Sequence, residues 1–186
     1  MRLRTCLALV AVLILGLYLL NPLGPDSLDP RARLAGFLPY RLPANSMAPT
    51  LRKDDFILVS AWAYAWDEPQ RGDVMVFQHP RIAQTAYVKR LIGLPGERVA
   101  MVNGHILIDG KPLNEPYLNP DQSNAHHDSL EMAPRTVPAG KLFMLGDNRH
   151  NSNDSRYWGM VPRANVIGRV QRIWWAEDSQ RIGDVH

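Results

Sequence analysis

One serine, one lysine and one long polar loop are the residues of this chain whose types and settings could do chemistry. Ser46 sits in Pro43-Ala44-Asn45-Ser46-Met47-Ala48-Pro49-Thr50-Leu51, a short proline-bounded turn just upstream of an apolar strand. Serines at such turns ordinarily hydrogen-bond the local backbone, so Ser46 becomes a candidate nucleophile only if a base lies elsewhere in the chain. Of the four lysines, Lys53, Lys111 and Lys141 lie at turns. Lys89 instead lies inside Ala86-Tyr87-Val88-Lys89-Arg90-Leu91-Ile92, where strand alternation puts Tyr87 and Leu91 on its own face. At an ordinary lysine pKa of ~10.4, about one amine in a thousand is neutral near pH 7.5, so a lysine base must lose roughly 2 to 3 pH units of basicity. Desolvation can supply that. Arg90 could not serve, because guanidinium does not deprotonate in proteins. The competing reading is a lysine that snorkels past Tyr87 to solvent.

The third segment is Gly146-Asp147-Asn148-Arg149-His150-Asn151-Ser152-Asn153-Asp154-Ser155-Arg156-Tyr157-Trp158-Gly159. Short polar side chains in such density favour turns and caps over helix or sheet, which predicts a loop held by its own hydrogen bonds. It reads either as a solvated surface or as a brace that aims a hydroxyl at the lysine amine through carboxylate-guanidinium pairs. Asn153-Asp154-Ser155 also matches a glycosylation sequon, a pattern that arises often by chance.

These residues need elements to hold them. Between residues 41 and 186 the dominant period is two: Phe56 to Val59, Asp73 to Gln78, Thr85 to Leu94, Leu142 to Leu145 and Val166 to Trp175 read as strands bounded by Gly, Pro, Asn or Asp. Arg98 to Val102 and His105 to Ile108 form a hairpin about Asn103-Gly104, a pair suited to a type I′ turn. The fold class is therefore mainly β and antiparallel. Within about residues 97–145, the stretch from Gly110 to Gly140 breaks the pattern and reads as an irregular excursion or small subdomain. Its His126-His127-Asp128 invites a metal reading, but adjacent histidines do not easily face one ion, so no metal and no cofactor is expected.

Ahead of the domain, the run from Thr5 to Leu20 is uncharged and almost wholly apolar. It predicts an uncleaved transmembrane anchor over residues 5–23, since the following Asn21-Pro22-Leu23-Gly24-Pro25 offers no small-x-small cleavage site. Arg2 and Arg4 orient residues 1–4 to the cytoplasm and the domain outward. Residues 24–40, rich in proline, read as a stiff linker. The net charge of +3 over 186 residues falls to +1 without Arg2 and Arg4, too little for nucleic-acid binding, and the sole cysteine, Cys6, excludes a disulfide.

In order, Ser46-Met47-Ala48-Pro49-Thr50-Leu51, Arg71-Gly72-Asp73-Val74-Met75-Val76-Phe77, Tyr87 through Glu97 and Gly146 through Gly159 resemble the motifs of the type I signal peptidases. These are membrane-anchored serine-lysine endopeptidases that remove signal peptides, and the four blocks cover most of residues 41–162. The resemblance implies a fold of two fused, mostly antiparallel sheets. It implies Ser46 as nucleophile and Lys89 as general base, with the Ser46 backbone N–H in the oxyanion hole. Ser152 matches the position whose hydroxyl orients the lysine, and Asp154, Arg156, Arg90, Asp147 and Tyr87 match supporting positions. Implied too are secretory precursors with Ala-x-Ala-like sites as substrates, a lipid bilayer as partner, a monomeric state, and a place in the inner (plasma) membrane with the catalytic domain on the outer or periplasmic side.

Three positions depart from the pattern. Ala44 stands where many members carry a serine, which removes a side-chain oxyanion donor and leaves more of that load to the Ser46 N–H. Asn45 and Asp54 stand where glycine is common, and both residue types tolerate positive φ. Trp62 and Trp66, with Trp174 and Trp175, form two aromatic clusters that read either as core or as contacts with a bilayer interface. Rival functions are a specialised peptidase of the same clan, pilin-processing or organellar, and a catalytically inactive membrane-tethered binding module. A Ser-His-Asp hydrolase using His79 or His150 lacks the G-x-S-x-G elbow that would orient it.

Overall fold

A computed structural model describes residues 2–21, 31–82, 84–118 and 131–185. The candidate metal run His126-His127-Asp128 lies outside the described residues, as do residues 24–30 of the proline-rich linker. Two antiparallel sheets make the body of the molecule. The larger is built from β1 (Phe37–Arg41), β2 (Phe56–Ser60), β3 (Val74–Gln78), β4 (Ala86–Gly93), β9 (Lys141–Leu145), β10 (Val161–Pro162), β11 (Val166–Trp175) and β12 (Gly183–Asp184). Its order is β1-β2-β11-β3-β4-β9-β10, with β12 alongside β11. The smaller is β7-β6-β5-β8, from β5 (Arg98–Val102), β6 (His105–Ile108), β7 (Lys111–Pro112) and β8 (Met132–Thr136). The fold is mainly β, as the period-two pattern predicts.

Residue chemistry explains which strands are central. In β2, Ile57 and Val59 face inward while their neighbours stay partly exposed. β3 is buried along Val74-Met75-Val76-Phe77, as befits a strand flanked by β11 and β4 and covered on both faces. β4 changes character along its length: Ala86 is exposed, whereas everything from Lys89 to Gly93 is buried. At the β5–β6 hairpin, Asn103 and Gly104 adopt φ of 47° and 74°, the left-handed pair that a type I′ turn requires.

Three apolar clusters result. One, containing Leu38, Met47, Leu51, Ile57 and Val59, lies under the Ser46 turn. A second joins Met75, Phe77, Leu91, Met144 and Trp158. The third, with Ile92, Val99, Ile106, Phe143 and Leu145, welds the small sheet to the large one.

Several sequence expectations need correction. A helix, α1 (Arg2–Leu20), does form near the N-terminus. Nevertheless, no helix among the described residues is long and apolar enough to cross a membrane. From Thr5 to Leu20 the helix rises roughly 24 Å, short of a hydrocarbon core of ~30 Å. That finding overturns the transmembrane segment in the predicted fold class, and with it the single-pass localisation, the cytoplasmic N-terminus and the outward-facing domain. The main sheet begins at Phe37, inside the stretch read as linker; β1 was missed because Pro39 interrupts its alternation. The polar run after β9 is not loop throughout either: Asp154 caps a one-turn helix, α2 (Ser155–Trp158), by accepting the Arg156 N–H.

Candidate active site

The turn carrying Ser46 is tethered at several points. Met47 and Leu51 are buried in the first apolar cluster, and the Leu51 N–H donates to Met47 O at 2.9 Å. Asn45 adds two bonds: its Oδ1 accepts from the Lys53 N–H at 2.8 Å, and its carbonyl accepts from Asn148 Nδ2 at 3.1 Å. Asn45 does so without positive φ, whereas Asp54 takes φ of 70°. The Ser46 carbonyl accepts from the Asn148 N–H at 3.1 Å, so the nucleophile turn and the polar loop are joined through backbone.

Lys89 reaches this turn from β4. Its Nζ lies 2.7 Å from Ser46 Oγ and 2.8 Å from the carbonyl of Val88. Only 3% of Lys89 is exposed, and no carboxylate among the described residues pairs with it. Burial pushes its pKa down from 10.5 to about 8, against the opposing pull of Asp154 and Asp147. The snorkelling alternative is thereby excluded: the amine is turned into the protein, toward a hydroxyl. Tyr87, on the same face, places its ring 5.4 Å from Nζ.

Neighbouring Arg90 is fully engaged. Its Nε and one terminal nitrogen donate to the two Asp147 oxygens at 2.9 and 2.8 Å, and its other terminal nitrogen donates to Gly72 O at 2.7 Å. The ring of Tyr117 lies 3.9 Å from the guanidinium. Asp147 also accepts from Thr50 Oγ1 at 2.6 Å, a further link to the Ser46 turn. Asp154 binds Arg156 through both oxygens at 2.8 Å and accepts from the Gly146 N–H at 3.2 Å. Arg156 closes the loop on itself by donating to Arg149 O at 2.7 Å.

Ser152 is brought into the site but makes no bond to Lys89; its Oγ is buried with no hydrogen-bond partner among the described residues. Gly146 is the reason these groups fit. A Cβ there would fall 2.2 Å from Ser152 Oγ and 2.3 Å from Ser46 O, so only glycine lets the loop pack against the nucleophile turn.

Two contributors escape a reading by motif. Glu115 and Tyr117 lie in the irregular excursion after β7, where no site residue is expected. Glu115 instead forms a buried two-point ion pair with Arg149, and Arg149 Nε donates to Gly146 O at 3.1 Å. Five prolines obscure the excursion, and the one available signal is the alternation of acid and aromatic in Glu115-Pro116-Tyr117. No described set of three or more His, Cys, Asp or Glu side chains could hold a metal ion.

Beside Ser46 and Lys89 runs a groove of about 410 Å³, walled by Tyr40, Leu42, Val76, Ala86, Tyr87 and Val88. Ala44 stands at its edge, offering a methyl group and no hydroxyl. A cleft with an apolar wall and a paired hydroxyl and amine can bind a peptide segment and attack its carbonyl.

Comparison with known proteins points the same way. The family described as signal peptidase, peptidase S26, matches residues 6–175. A signal peptidase I of Leptolyngbya laminosa is 43% identical over 144 residues, covering 72% of this chain and 66% of the relative. One from Pseudomonas aeruginosa is 35% identical, covering 80% and 71%. The chain thus spans about two thirds of the length of these curated relatives. A crystal structure of a signal peptidase I from Enterococcus faecalis superposes with a TM-score of 0.50 at 39% identity, covering 55% of this chain and 97% of the other.

Proposed function

This chain belongs to the signal peptidase family, peptidase S26, and from that premise we propose that it is a serine endopeptidase removing signal peptides from secretory precursors, with Ser46 as nucleophile and Lys89 as base. The observation that carries the reading is the 2.7 Å approach of a buried lysine amine, unpaired with any described carboxylate, to a serine hydroxyl at the end of an apolar groove. Neutral Lys89 takes the Ser46 proton as Oγ bonds to the scissile carbonyl carbon. The charge on the carbonyl oxygen is met by the Ser46 backbone N–H, for which no acceptor is found among the described residues. Protonated Lys89 then gives its proton to the departing amine as the C–N bond breaks, leaving an acyl-serine. Water, deprotonated by the same amine, attacks the ester and frees Ser46.

Arg90, Asp147, Asp154 and Arg156 hold the frame in which this happens, Ser152 packs against Gly146, and Tyr87 walls the groove. Small side chains such as those of an Ala-x-Ala site suit that narrow apolar lining. One chain holds every group the reaction needs, which supports action as a monomer. Contact with lipid falls to Trp174 and Trp175, each 47% exposed and stacked edge-on against Phe56 at centroid distances of 5.5 and 5.3 Å.

The test is cleavage of an Ala-x-Ala precursor across pH by the wild type beside Ser46→Ala, Lys89→Ala and His79→Ala. Cleavage by the wild type and His79→Ala alone, with kcat/KM climbing as pH rises through about 8, is the expected result. Activity lost in His79→Ala but kept in Lys89→Ala would sink the serine-lysine reading. No cleavage by folded wild type would favour the binding module.

A further inference from the structure

A part-buried arginine far along the sequence holds the nucleophile turn from behind, and no step of the reaction above uses it. Arg181 ends a short 3-10 turn, Ser179–Arg181, which Asp178 caps by accepting the Gln180 N–H. The segment folds back across β11: β12 pairs at Arg172↔Asp184 and Ile173↔Gly183, and the Val185 N–H donates to Gln171 O at 2.9 Å. Val185 packs on the same apolar cluster that contains Met47 and Leu51. From this strap the guanidinium reaches the Ser46 turn, 131 and 132 residues away in sequence. One terminal nitrogen donates to Pro49 O at 3.2 Å, and the other to Thr50 O at 3.3 Å and Asp55 Oδ2 at 2.6 Å. The side chains of Arg181 and Asp55 are 13% and 5% exposed. The same Asp55 oxygen accepts from the Arg52 N–H at 2.7 Å, which pins the exit of the turn.

We propose that Arg181, seated on Asp55, is a positioning residue that fixes the register of the Ser46 turn against Lys89. The proposal rests on the peptidase reading above. Its physical basis is a division of labour along one turn. At Ser46 the backbone is held by Asn148, and at Thr50 the side chain is held by Asp147. The carbonyls of Pro49 and Thr50 are part-buried, and among the described residues the only charged donor to them is Arg181. A fork that bonds two successive carbonyls and a carboxylate at once sets the turn's rotation, which a single ammonium could not do. Rotation matters because displacing a reacting atom by ~1 Å can cost about a hundredfold in rate.

The experiment compares full-length wild type with Arg181→Gln, Arg181→Lys and Asp55→Asn on an Ala-x-Ala precursor. It measures kcat and KM separately, well below each variant's unfolding temperature, with the folded fraction checked by circular dichroism. Arg181→Gln should lose about tenfold to a hundredfold in kcat, with KM nearly unchanged because the groove walls are untouched. Arg181→Lys should recover thermal stability by pairing with Asp55, yet regain only part of kcat. A purely structural role predicts otherwise: Arg181→Lys would return kcat to the wild-type value once stability returned. That result, or unchanged kcat in folded Arg181→Gln, overturns the proposal while leaving the peptidase reading intact. Should Arg181→Gln fail to fold, the split in Arg181→Lys decides alone. Wild type unable to cleave the precursor would instead overturn the peptidase reading, and the proposal with it.

Discussion

Two cations sit side by side on β4 and point to opposite faces of one strand. Both are buried, with 3% of Lys89 and 1% of Arg90 exposed. Arg90 meets a carboxylate at two points, a backbone carbonyl and an aromatic face. Lys89 meets a hydroxyl and a carbonyl, with its two acidic neighbours too far off to pair. The difference lies in compensation rather than burial. Where every donor of a buried cation is satisfied, its charge is fixed and it acts as framework. A cation denied its counter-ion, by contrast, becomes willing to lose its proton near neutrality. The same strand can therefore carry a strut and a base because its two faces are supplied with different partners.

Breaking the base face should have the largest effect. Ser46→Ala and Lys89→Ala should each lower kcat by on the order of 10⁴-fold or more, and the double variant should be little worse than either, because the two act as a unit. Lys89→Arg sharpens the contrast with Arg90. It retains charge and length but cannot deprotonate. Initial rates on an Ala-x-Ala precursor should therefore match those of Lys89→Ala at every pH; recovery of activity by arginine would show that charge, not proton transfer, is what the position supplies.

Breaking the strut face should cost stability first. Asp147→Asn leaves Arg90 buried against a neutral amide, a loss of about 3 to 5 kcal/mol by denaturant unfolding. Glu115→Gln does the same to Arg149 and should lie in the same range. The two variants should part company in their pH profiles. Asp147 pulls the Lys89 pKa upward, so neutralising it should move the rising limb of kcat/KM below pH 8. Glu115 exerts no such pull on Lys89, and its variant should keep the limb near 8. Identical profiles would mean that Asp147 does not reach the base.

How far the sequence could foresee this follows from where each residue's partners lie. The sheet was legible because the alternation in Phe56 to Ser60 and the Asn103-Gly104 turn are local signals. Ser46 and Lys89 were legible because a lysine in a strand is a local contradiction, and motif resemblance then paired it with a serine 43 residues away. Arg149 with Glu115, and Arg181 with Asp55, were not legible. Each is an ordinary charged residue in a polar stretch until the fold buries it against a partner 34 or 126 residues distant. The Ser155–Trp158 helix was hidden for a related reason: one turn carries too few residues to show a period, and only Asp154 as its cap betrays it.

The smallest expected effect is also the one of opposite sign. Lys89→Met replaces the uncompensated amine with an apolar chain of similar length, which abolishes cleavage but removes the cost of burying a charge. The native pKa is about 8 against 10.5 for the free side chain. At ~1.4 kcal/mol per pH unit, the charged amine costs the wild type on the order of 3 kcal/mol below pH 8. Between pH 8 and 10.5 the unfolded chain binds more protons at this site than the native one, so wild-type stability rises with pH and the cost fades. The gain from Lys89→Met should accordingly be greatest below pH 8 and shrink toward zero above 10.5. The corresponding change on the other face, Arg90→Met, should destabilise at every pH, since it strands Asp147 without its partner. Chemical unfolding of both variants at pH 7 and pH 10 tests the contrast directly: a Lys89→Met protein no more stable than wild type at pH 7 would mean that the amine is already compensated, and that its readiness to give up a proton has another source than burial.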